Sequence, residues 1–316
     1  MQKVEATHPG TEADVVVVGE ALVDIVVSSQ GTVEYPGGSP ANVAYGLGRL
    51  GVPTTLLTSI GDDNHGAAIE RHLASAGVEL LTRTGRRGRT ATATATLAAD
   101  GSAHYDFDIK WDLPAIAPAP QPKILHTGSI ATFLEPGAAA VRALLEQVHQ
   151  QCLVTYDPNV RPALVGSQAG ARITFEELIP FTDVVKLSDE DAHWLYPKQS
   201  LEDTSQRILD LGAGLVVVTK GSEGSMLSTT GTRVLVPSVE STVADTIGAG
   251  DSYMSALIYG LLVSGVSVAD GFTPEALESL GRRATKAAAI TVRRAGANPP
   301  TSDELLAELP EQQPAS

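Results

Sequence analysis

The chain has 316 residues, a formal net charge of −15 and a single cysteine, Cys152. This length is sufficient for a full hydrophobic core, and 43% hydrophobic residues with 30 glycines are typical of α/β architecture with many tight turns. The acidic balance argues against a nucleic-acid partner, because binding to phosphates requires a basic face. One cysteine excludes an internal disulfide, which is consistent with a reducing cytoplasm.

The two ends of the chain differ in composition from its middle. Residues 1–12 contain no apolar core of a signal peptide, and residues 310–316 are polar, so we expect both to be loose termini. The apolar run Val15–Val27 contains Glu20 and Asp24 and is too short to cross a membrane. We therefore expect a cytoplasmic protein with no membrane partner, folded as one domain over residues 13–309.

Between these ends, short β-branched runs alternate with segments of helical length such as Pro136–Gln150 and Leu201–Leu211. The runs from Lys123 onward are continuously apolar, which is typical of strands buried on both faces. The alternation predicts a parallel, doubly wound sheet with right-handed crossovers. The strand candidates are Val15–Val18, Thr54–Ile60, Lys123–Ile130, Cys152–Asp157, Asp183–Ser188 and Gly214–Gly221.

One part of the chain has a period of two instead. Thr90–Leu97 and Ala103–Ile109 flank a turn at Asp100-Gly101 and predict a hairpin with one covered face. With Asp24–Ser29 and Thr32–Tyr35, it predicts a small separate sheet over the crevice where the main strands end. The exposed edges of such a sheet would favour pairing with a second copy, so we keep a homodimer as an alternative to a monomer.

A glycine motif at Gly46–Gly51 matches G-x-G-x-x-G, but no strand precedes it. Ser39 and Pro40 instead resemble the N-cap and first residue of a helix, and Gly51 suits the position after its end. We therefore interpret this segment as a helix and not as a dinucleotide site.

The segment Ala244–Gly260 carries the strongest chemical pattern. Gly248, Ala249 and Gly250 allow backbone N–H groups to approach an anion closely, and Asp251 follows at the start of an apolar helix. A carboxylate beside an anion site suits proton removal from a hydroxyl during phosphoryl transfer. The alternative is an ordinary strand–turn–helix junction with Asp251 as its N-cap.

Two segments resemble signatures of the ribokinase-like (PfkB) carbohydrate kinases. ADTIGAGD, residues 244–251, resembles DTxGAGD, and PGGSPAN, residues 36–42, resembles GGxxxN. The resemblance implies a ribokinase-like α/β fold, with a doubly wound, mostly parallel sheet between two helical layers and a small β-sheet lid from about 23–36 and 89–110. It also implies a kinase that binds a small-molecule sugar and ATP.

The resemblance extends to the sugar-binding residues. Asp24 lies in the place of the family's sugar-binding aspartate, and a carboxylate can accept two hydroxyl hydrogen bonds. Gly37, Gly38 and Asn42 belong to the GGxxxN segment, and Arg161 lies in DPNVR, which matches the family's DPNxR. Asp251 would be the general base, with Gly248, Ala249 and Gly250 forming the anion hole.

On the nucleotide side, VTKGSEG resembles the T-x-G-x-x-G loop and implies ATP contacts from Thr219, Gly221 and Gly224, with Gly250 at the phosphates. KLSDEDA resembles the N-x-x-E region, but Ser188 replaces Asn and Asp191 replaces Glu. Asp191 would then hold Mg²⁺ through water, and Glu190 could substitute for it. Thr285 occupies an adenine-side position that often holds Asn.

The resemblance further implies a K⁺ site. Asp245 would supply a carboxylate oxygen, and Ile247 and Gly296 would supply carbonyl oxygens. A cation behind the anion hole would neutralise the peptide carbonyls that point away from the phosphate. The alternative is that Asp245 only stabilises the turn at Thr246.

Within the family, GEALVDIV, GGSPANVA and DPNVRPAL together resemble bacterial fructokinases. The expected reaction is therefore D-fructose with ATP giving fructose 6-phosphate and ADP. The alternatives are a 2-dehydro-3-deoxygluconate kinase, which shares DPNxR, and a non-catalytic sugar-binding sensor on the same fold.

Overall fold

A computed structural model describes residues 13–29, 31–82, 88–97, 103–113, 121–265 and 271–307. The expected loose termini and the turn at Asp100-Gly101 lie outside these residues. Within them, the strands in chain order are β1 (Val15–Val18), β2 (Leu22–Ser28), β3 (Gly31–Gly37), β4 (Thr54–Leu57), β5 (Glu79–Leu81), β6 (Ala91–Leu97), β7 (Ala103–Asp108), β8 (Ile124–Gly128), β9 (Leu153–Asp157), β10 (Val184–Ser188), β11 (Leu215–Thr219), β12 (Ser225–Ser228) and β13 (Arg233–Val236).

The large sheet has the strand order β13-β12-β11-β10-β9-β8-β1-β4-β5. The strands from β11 to β5 in this order are parallel, whereas β12 and β13 pair antiparallel at one edge. Apart from the edge strand β5, the parallel strands are rich in apolar residues, as expected for strands with both faces buried. Their carboxyl ends meet at one edge of the sheet, where open α/β sheets bind ligands.

The period-two segments form a separate small sheet with the order β3-β2-β6-β7. β2 pairs antiparallel with β3 and parallel with β6, and β6 and β7 form the expected hairpin. The prediction of a second small sheet is confirmed. Its β2 leads directly from the carboxyl-end loop of β1, which brings the two sheets to the same edge of the molecule.

The α-helices in the described residues are α1 (Ser39–Arg49), α2 (Asn64–Ala74), α3 (Gly137–Val148), α4 (Gln168–Leu178), α5 (Asp189–Leu195), α6 (Leu201–Asp210), α7 (Ala249–Ser264), α8 (Pro274–Thr291) and α9 (Ser302–Leu306). Residues of α1, α2, α7 and α8 form one buried cluster, and residues of α3 to α6 form another. Two clusters on opposite faces of one sheet confirm the three-layer α/β/α arrangement. None of these helices is long and apolar enough to span a membrane.

Two helix starts differ in detail from the sequence interpretation. The N-cap of α1 is Gly38, with φ 97°, so Ser39 is the first helical residue and Pro40 the second. The turn before α1 needs a residue with positive φ, a backbone conformation that serine would adopt only with strain. The alternative N-cap role for Asp251 is also wrong, because Gly248 is the N-cap of α7. The prediction that Gly46–Gly51 is helix and helix end is confirmed, and Gly51 has φ 79°.

Candidate active site

Asp251 is the third residue of α7, and its carboxylate is held from a different helix. Ser39 Oγ donates to Oδ1 at 2.6 Å, and Asn42 Nδ2 donates to Oδ2 at 2.8 Å. Both donors lie in the first turn of α1, and the side chain of Asp251 is largely buried. The two hydrogen bonds leave one lone pair on each oxygen and fix the orientation of the carboxylate.

The turn before Asp251 requires glycine at its first position. Gly248 has φ 74°, and a Cβ there would lie 2.6 Å from the Cβ of Ala297. This conformation starts α7, whose first amides have no carbonyl partner within the helix and carry the positive end of its dipole. The amide of Ala249 donates to the carbonyl of Thr246 at 3.2 Å. The amides of Gly250 and Asp251, at the second and third helical positions, are therefore the best placed donors for an anion.

The predicted sugar residues lie next to this carboxylate. Asp24 is half-buried, and a Cβ at Gly37, which pairs with Leu22 on the neighbouring strand, would overlap the Asp24 carboxylate in its present position. Burial, with a smaller contribution from the nearby charge of Asp251, raises the pKa of Asp24 to about 6, while Arg161 acts in the opposite direction. Arg161 itself is exposed. The structure thus brings Asp24, Gly37, Asn42, Arg161 and Asp251 together.

Glu20 is a buried acidic residue that the sequence reasoning did not place in the site. Its Oε2 accepts a hydrogen bond from the amide of Ala131 at 3.2 Å, and only 4% of the residue is exposed. Burial raises its pKa to about 8, although hydrogen bonds with Ser129 and Ala131 and the charge of Arg161 oppose this shift. Burial therefore favours the protonated form of this carboxyl, which lies beside Ser129 and Ala131.

The predicted nucleotide residues follow two neighbouring strands. Ser188 ends β10 and pairs in register with Thr219 at the end of β11. Gly221 and Gly224 follow with φ 51° and 88°, and a Cβ at Gly224 would overlap the carbonyl of Val236. Thr285 lies on α8, is largely buried and adjoins Tyr253. Its predicted adenine contact stays a prediction.

Asp191 has a structural role in the fold. It forms a capping box with Ser188 at the start of α5, and its Oδ1 accepts a hydrogen bond from the amide of Val160 at 2.9 Å. These contacts fix the loop that carries Arg161. Its oxygens keep lone pairs for a water ligand of Mg²⁺, whereas Glu190 is exposed beside it.

Asp245 joins the two loops that were predicted to hold K⁺. Its Oδ1 accepts from the amide of Ile247 at 3.0 Å, and its Oδ2 accepts from the amide of Gly296 at 2.8 Å. The loops therefore meet behind Gly248, as a shared cation site would require. The described residues contain no cluster of three or more His, Cys, Asp or Glu side chains that could hold a metal alone. A cation here would depend on carbonyl, water or phosphate oxygens as well.

The sequence reasoning also missed Ser39 and Lys186 as site residues. Lys186 lies on β10, and its Nζ is 2.6 Å from Oδ2 of Asp157 at the end of β9. A Cβ at Gly250 would lie 3.3 Å from the same Nζ. The available signal was a lysine within an apolar run of a strand predicted to be buried on both faces.

Comparison with known proteins decides the family. A model of the pfkB family carbohydrate kinases matches residues 12–304. The chain belongs to this family of carbohydrate kinases. A fructokinase from Rhizobium leguminosarum bv. trifolii is 31% identical over 257 residues, which are 77% of this chain and 78% of that protein.

Two solved enzymes resemble the kinase in structure. Xylella fastidiosa fructokinase with bound ATP superposes with a TM-score of 0.82, covering 92% of this chain and 96% of that one, and at 24% identity it supports the fold alone. Vibrio cholerae fructokinase bound to fructose, ADP and a calcium ion gives a TM-score of 0.76 at 27% identity, covering 90% and 94%. A double mutant of that enzyme, bound to fructose, ADP and a potassium ion, gives 0.75 at 26%, covering 91% and 95%.

Proposed function

We propose that this carbohydrate kinase is a fructokinase, which transfers the γ-phosphoryl group of ATP to the 6-hydroxyl of D-fructose. The observation that carries the proposal is the pair of hydrogen bonds that Ser39 and Asn42 donate to the carboxylate of Asp251. These residues begin α1 directly after Gly37 and Gly38, so the segment that would contact the sugar also orients the base. The similarity to fructokinases at about 30% identity favours fructose among the sugars.

In the proposed reaction, Asp251 takes the proton of the primary hydroxyl as its oxygen forms a bond to the γ-phosphorus. The bond between that phosphorus and the β,γ-bridging oxygen breaks, and ADP leaves with the electron pair. The amides of Gly250 and Asp251 face the charge on the transferred group. General-base assistance of this kind contributes about 10²–10⁴ in rate.

The remaining sequence-predicted residues support binding. Asp24 and Arg161 would contact sugar hydroxyls, and Ser188, Thr219, Gly221 and Gly224 would line the nucleotide side. Mg²⁺ would neutralise phosphate charge, with Asp191 holding it through water, and K⁺ would lie between the loops joined by Asp245. The small sheet would act as a lid over the sugar, within one domain over residues 13–309. Its exposed Tyr35 and Tyr105 could pack against a second copy.

A coupled assay of ADP release tests the proposal. The acceptors are D-fructose, 2-dehydro-3-deoxygluconate, D-ribose and no sugar, with the phosphorylated carbon identified by phosphorus NMR. We expect the highest kcat/KM with D-fructose. A higher value with 2-dehydro-3-deoxygluconate would mean that the protein is a 2-dehydro-3-deoxygluconate kinase. Arg161 would then be tested as the residue that contacts the carboxylate of this substrate. Sugar binding without ADP release from any acceptor would indicate a non-catalytic sensor.

A further inference from the structure

A buried ion pair lies beneath the turn that begins α7. Lys186 and Asp157 are 5% and 1% exposed, and their charged atoms are 2.6 Å apart. Removing two charges from water is costly, and a pair of apolar residues would often serve stability equally well. The pair therefore calls for a reason beyond packing.

The pair is not a closed structural unit. In the part of the chain that the structure describes, Oδ1 of Asp157 has no hydrogen-bond partner, although it is buried. An ammonium has three donors, and the hydrogen bond to Asp157 uses one of them. Capacity for further contacts is thus left on both side chains at the carboxyl edge of the sheet.

The ammonium lies against the turn Gly248–Asp251 that begins α7, which we call the anion turn. A Cβ at Gly250 would lie 3.3 Å from Nζ, so the charge lies directly below the second residue of α7. Asp157, Asp251 and Asp191 all interact electrostatically with Lys186, and these carboxylates raise its pKa despite its burial. The lysine therefore stays charged among three carboxylates that would otherwise repel a phosphate.

We propose that Lys186 is a positioning residue for phosphoryl transfer. Its ammonium, oriented by Asp157, lies behind the turn Gly248–Asp251 and supplies fixed positive charge that acts through this turn on the transferred phosphoryl group. A buried and fixed charge stabilises a transition state more than the same charge in water, because water does not screen it and it does not have to reorient during the reaction. The inference rests on the proposed role of Asp251 and its turn, and it does not depend on which sugar is phosphorylated.

A set of isosteric variants separates this role from a structural one. Lys186→Met alone would leave Asp157 buried and unpaired, and it is expected to lose stability as well as activity. The double variant Asp157→Asn with Lys186→Met removes both charges and keeps the packing. We expect its melting temperature to lie within a few degrees of wild type and its kcat to fall at least tenfold, with KM for the sugar within about threefold. Asp157→Asn alone keeps the ammonium and should retain a higher kcat than the double variant.

The matched control is the ion pair of exposed Lys123 and half-buried Asp14, which are 2.7 Å apart at the opposite end of the sheet. Asp14→Asn with Lys123→Met should leave kcat within twofold of wild type. Activity is measured with whichever sugar the wild type phosphorylates best, so a wrong sugar assignment does not affect the result. If the Asp157→Asn, Lys186→Met variant is folded and its kcat lies within twofold of wild type, the pair is structural and the proposal is wrong.

Discussion

Asn42 and Asp251 are 209 residues apart in the chain and 2.8 Å apart in the structure, joined by a hydrogen bond from Nδ2 to Oδ2. This bond links the two segments on which the sequence argument rested, the glycine pair before α1 and the turn before α7. Neither segment alone could show that one orients the other. The contact makes the sugar side and the phosphate side a single unit built around one carboxylate.

Replacing that carboxylate should remove turnover and preserve binding. Asp251→Asn keeps the shape of the side chain but cannot accept the proton, so we expect kcat to fall by about 10²–10⁴. Affinities for sugar and ATP, measured by calorimetry, should stay within a few fold because a base acts in the transition state. Asp210→Asn, on the exposed end of α6, serves as the control and should keep full activity. A variant with more than about a tenth of wild-type kcat would indicate another proton acceptor.

Gly37→Ala should damage sugar binding selectively. The added Cβ would overlap the carboxylate of Asp24, which must then move away from the sugar pocket. We expect KM for the sugar to rise roughly tenfold, equivalent to about 1.4 kcal/mol, while KM for ATP changes less than twofold. Gly231→Ala is the control, because a Cβ there meets nothing within 4 Å. An unchanged sugar KM would show that Asp24 does not contact the sugar.

The pKa of Asp24 predicts a pH dependence of sugar affinity. Burial raises this pKa from 3.8 to about 6, so the carboxylate that accepts sugar hydrogen bonds forms only above that pH. Affinity should therefore be constant above about pH 7 and fall roughly tenfold by pH 5, as measured by equilibrium titration. Burial also raises the pKa of Asp157, so the attribution needs Asp24→Asn, which should bind more weakly and without this pH dependence. If the pH dependence persists in Asp24→Asn, another titrating group causes it.

The sequence predicted the layers of the fold better than its edges and its polar contacts. The apolar runs at β1, β9 and β11 were found because burial on both faces leaves a continuous pattern. The antiparallel strands β12 and β13 were missed, since each has four residues and Ser225 to Ser228 carries little β pattern. Ser39 and Lys186 were missed because their importance arises from partners 212 and 29 residues away.

The loops joined by Asp245 should make catalysis depend on a monovalent cation. Replacing K⁺ by tetramethylammonium at constant ionic strength should lower kcat several-fold, because the peptide carbonyls behind the anion turn would lose their counter-charge. Asp245→Ala should have low activity in both salts and so lose the dependence, whereas Asp210→Ala should retain it. Equal wild-type activity in both salts would return Asp245 to its observed role of joining the amides of Ile247 and Gly296.

Glu20 should make the kinase less stable as the pH rises. Burial raises its pKa from 4.5 to about 8, so the folded state binds the proton more tightly than the unfolded state between these values. Stability from this group is therefore fully present below about pH 4.5 and is lost as the pH rises through about 8. A tenfold change in proton affinity corresponds to about 1.4 kcal/mol, so the loss in the free energy of unfolding should be a few kcal/mol.

Glu20→Gln isolates this effect. The amide does not titrate, and its oxygen can still accept the hydrogen bond from the amide of Ala131. The free energy of unfolding is measured with urea at pH 5 and pH 8.5. Between these pH values it should fall in wild type by at least about 2 kcal/mol more than in the variant. Glu146→Gln, at an exposed position of α3, should follow the wild-type dependence. A Glu20→Gln variant with the wild-type pH dependence would mean that Glu20 is ionised in the folded kinase, with Arg161 as its compensating charge.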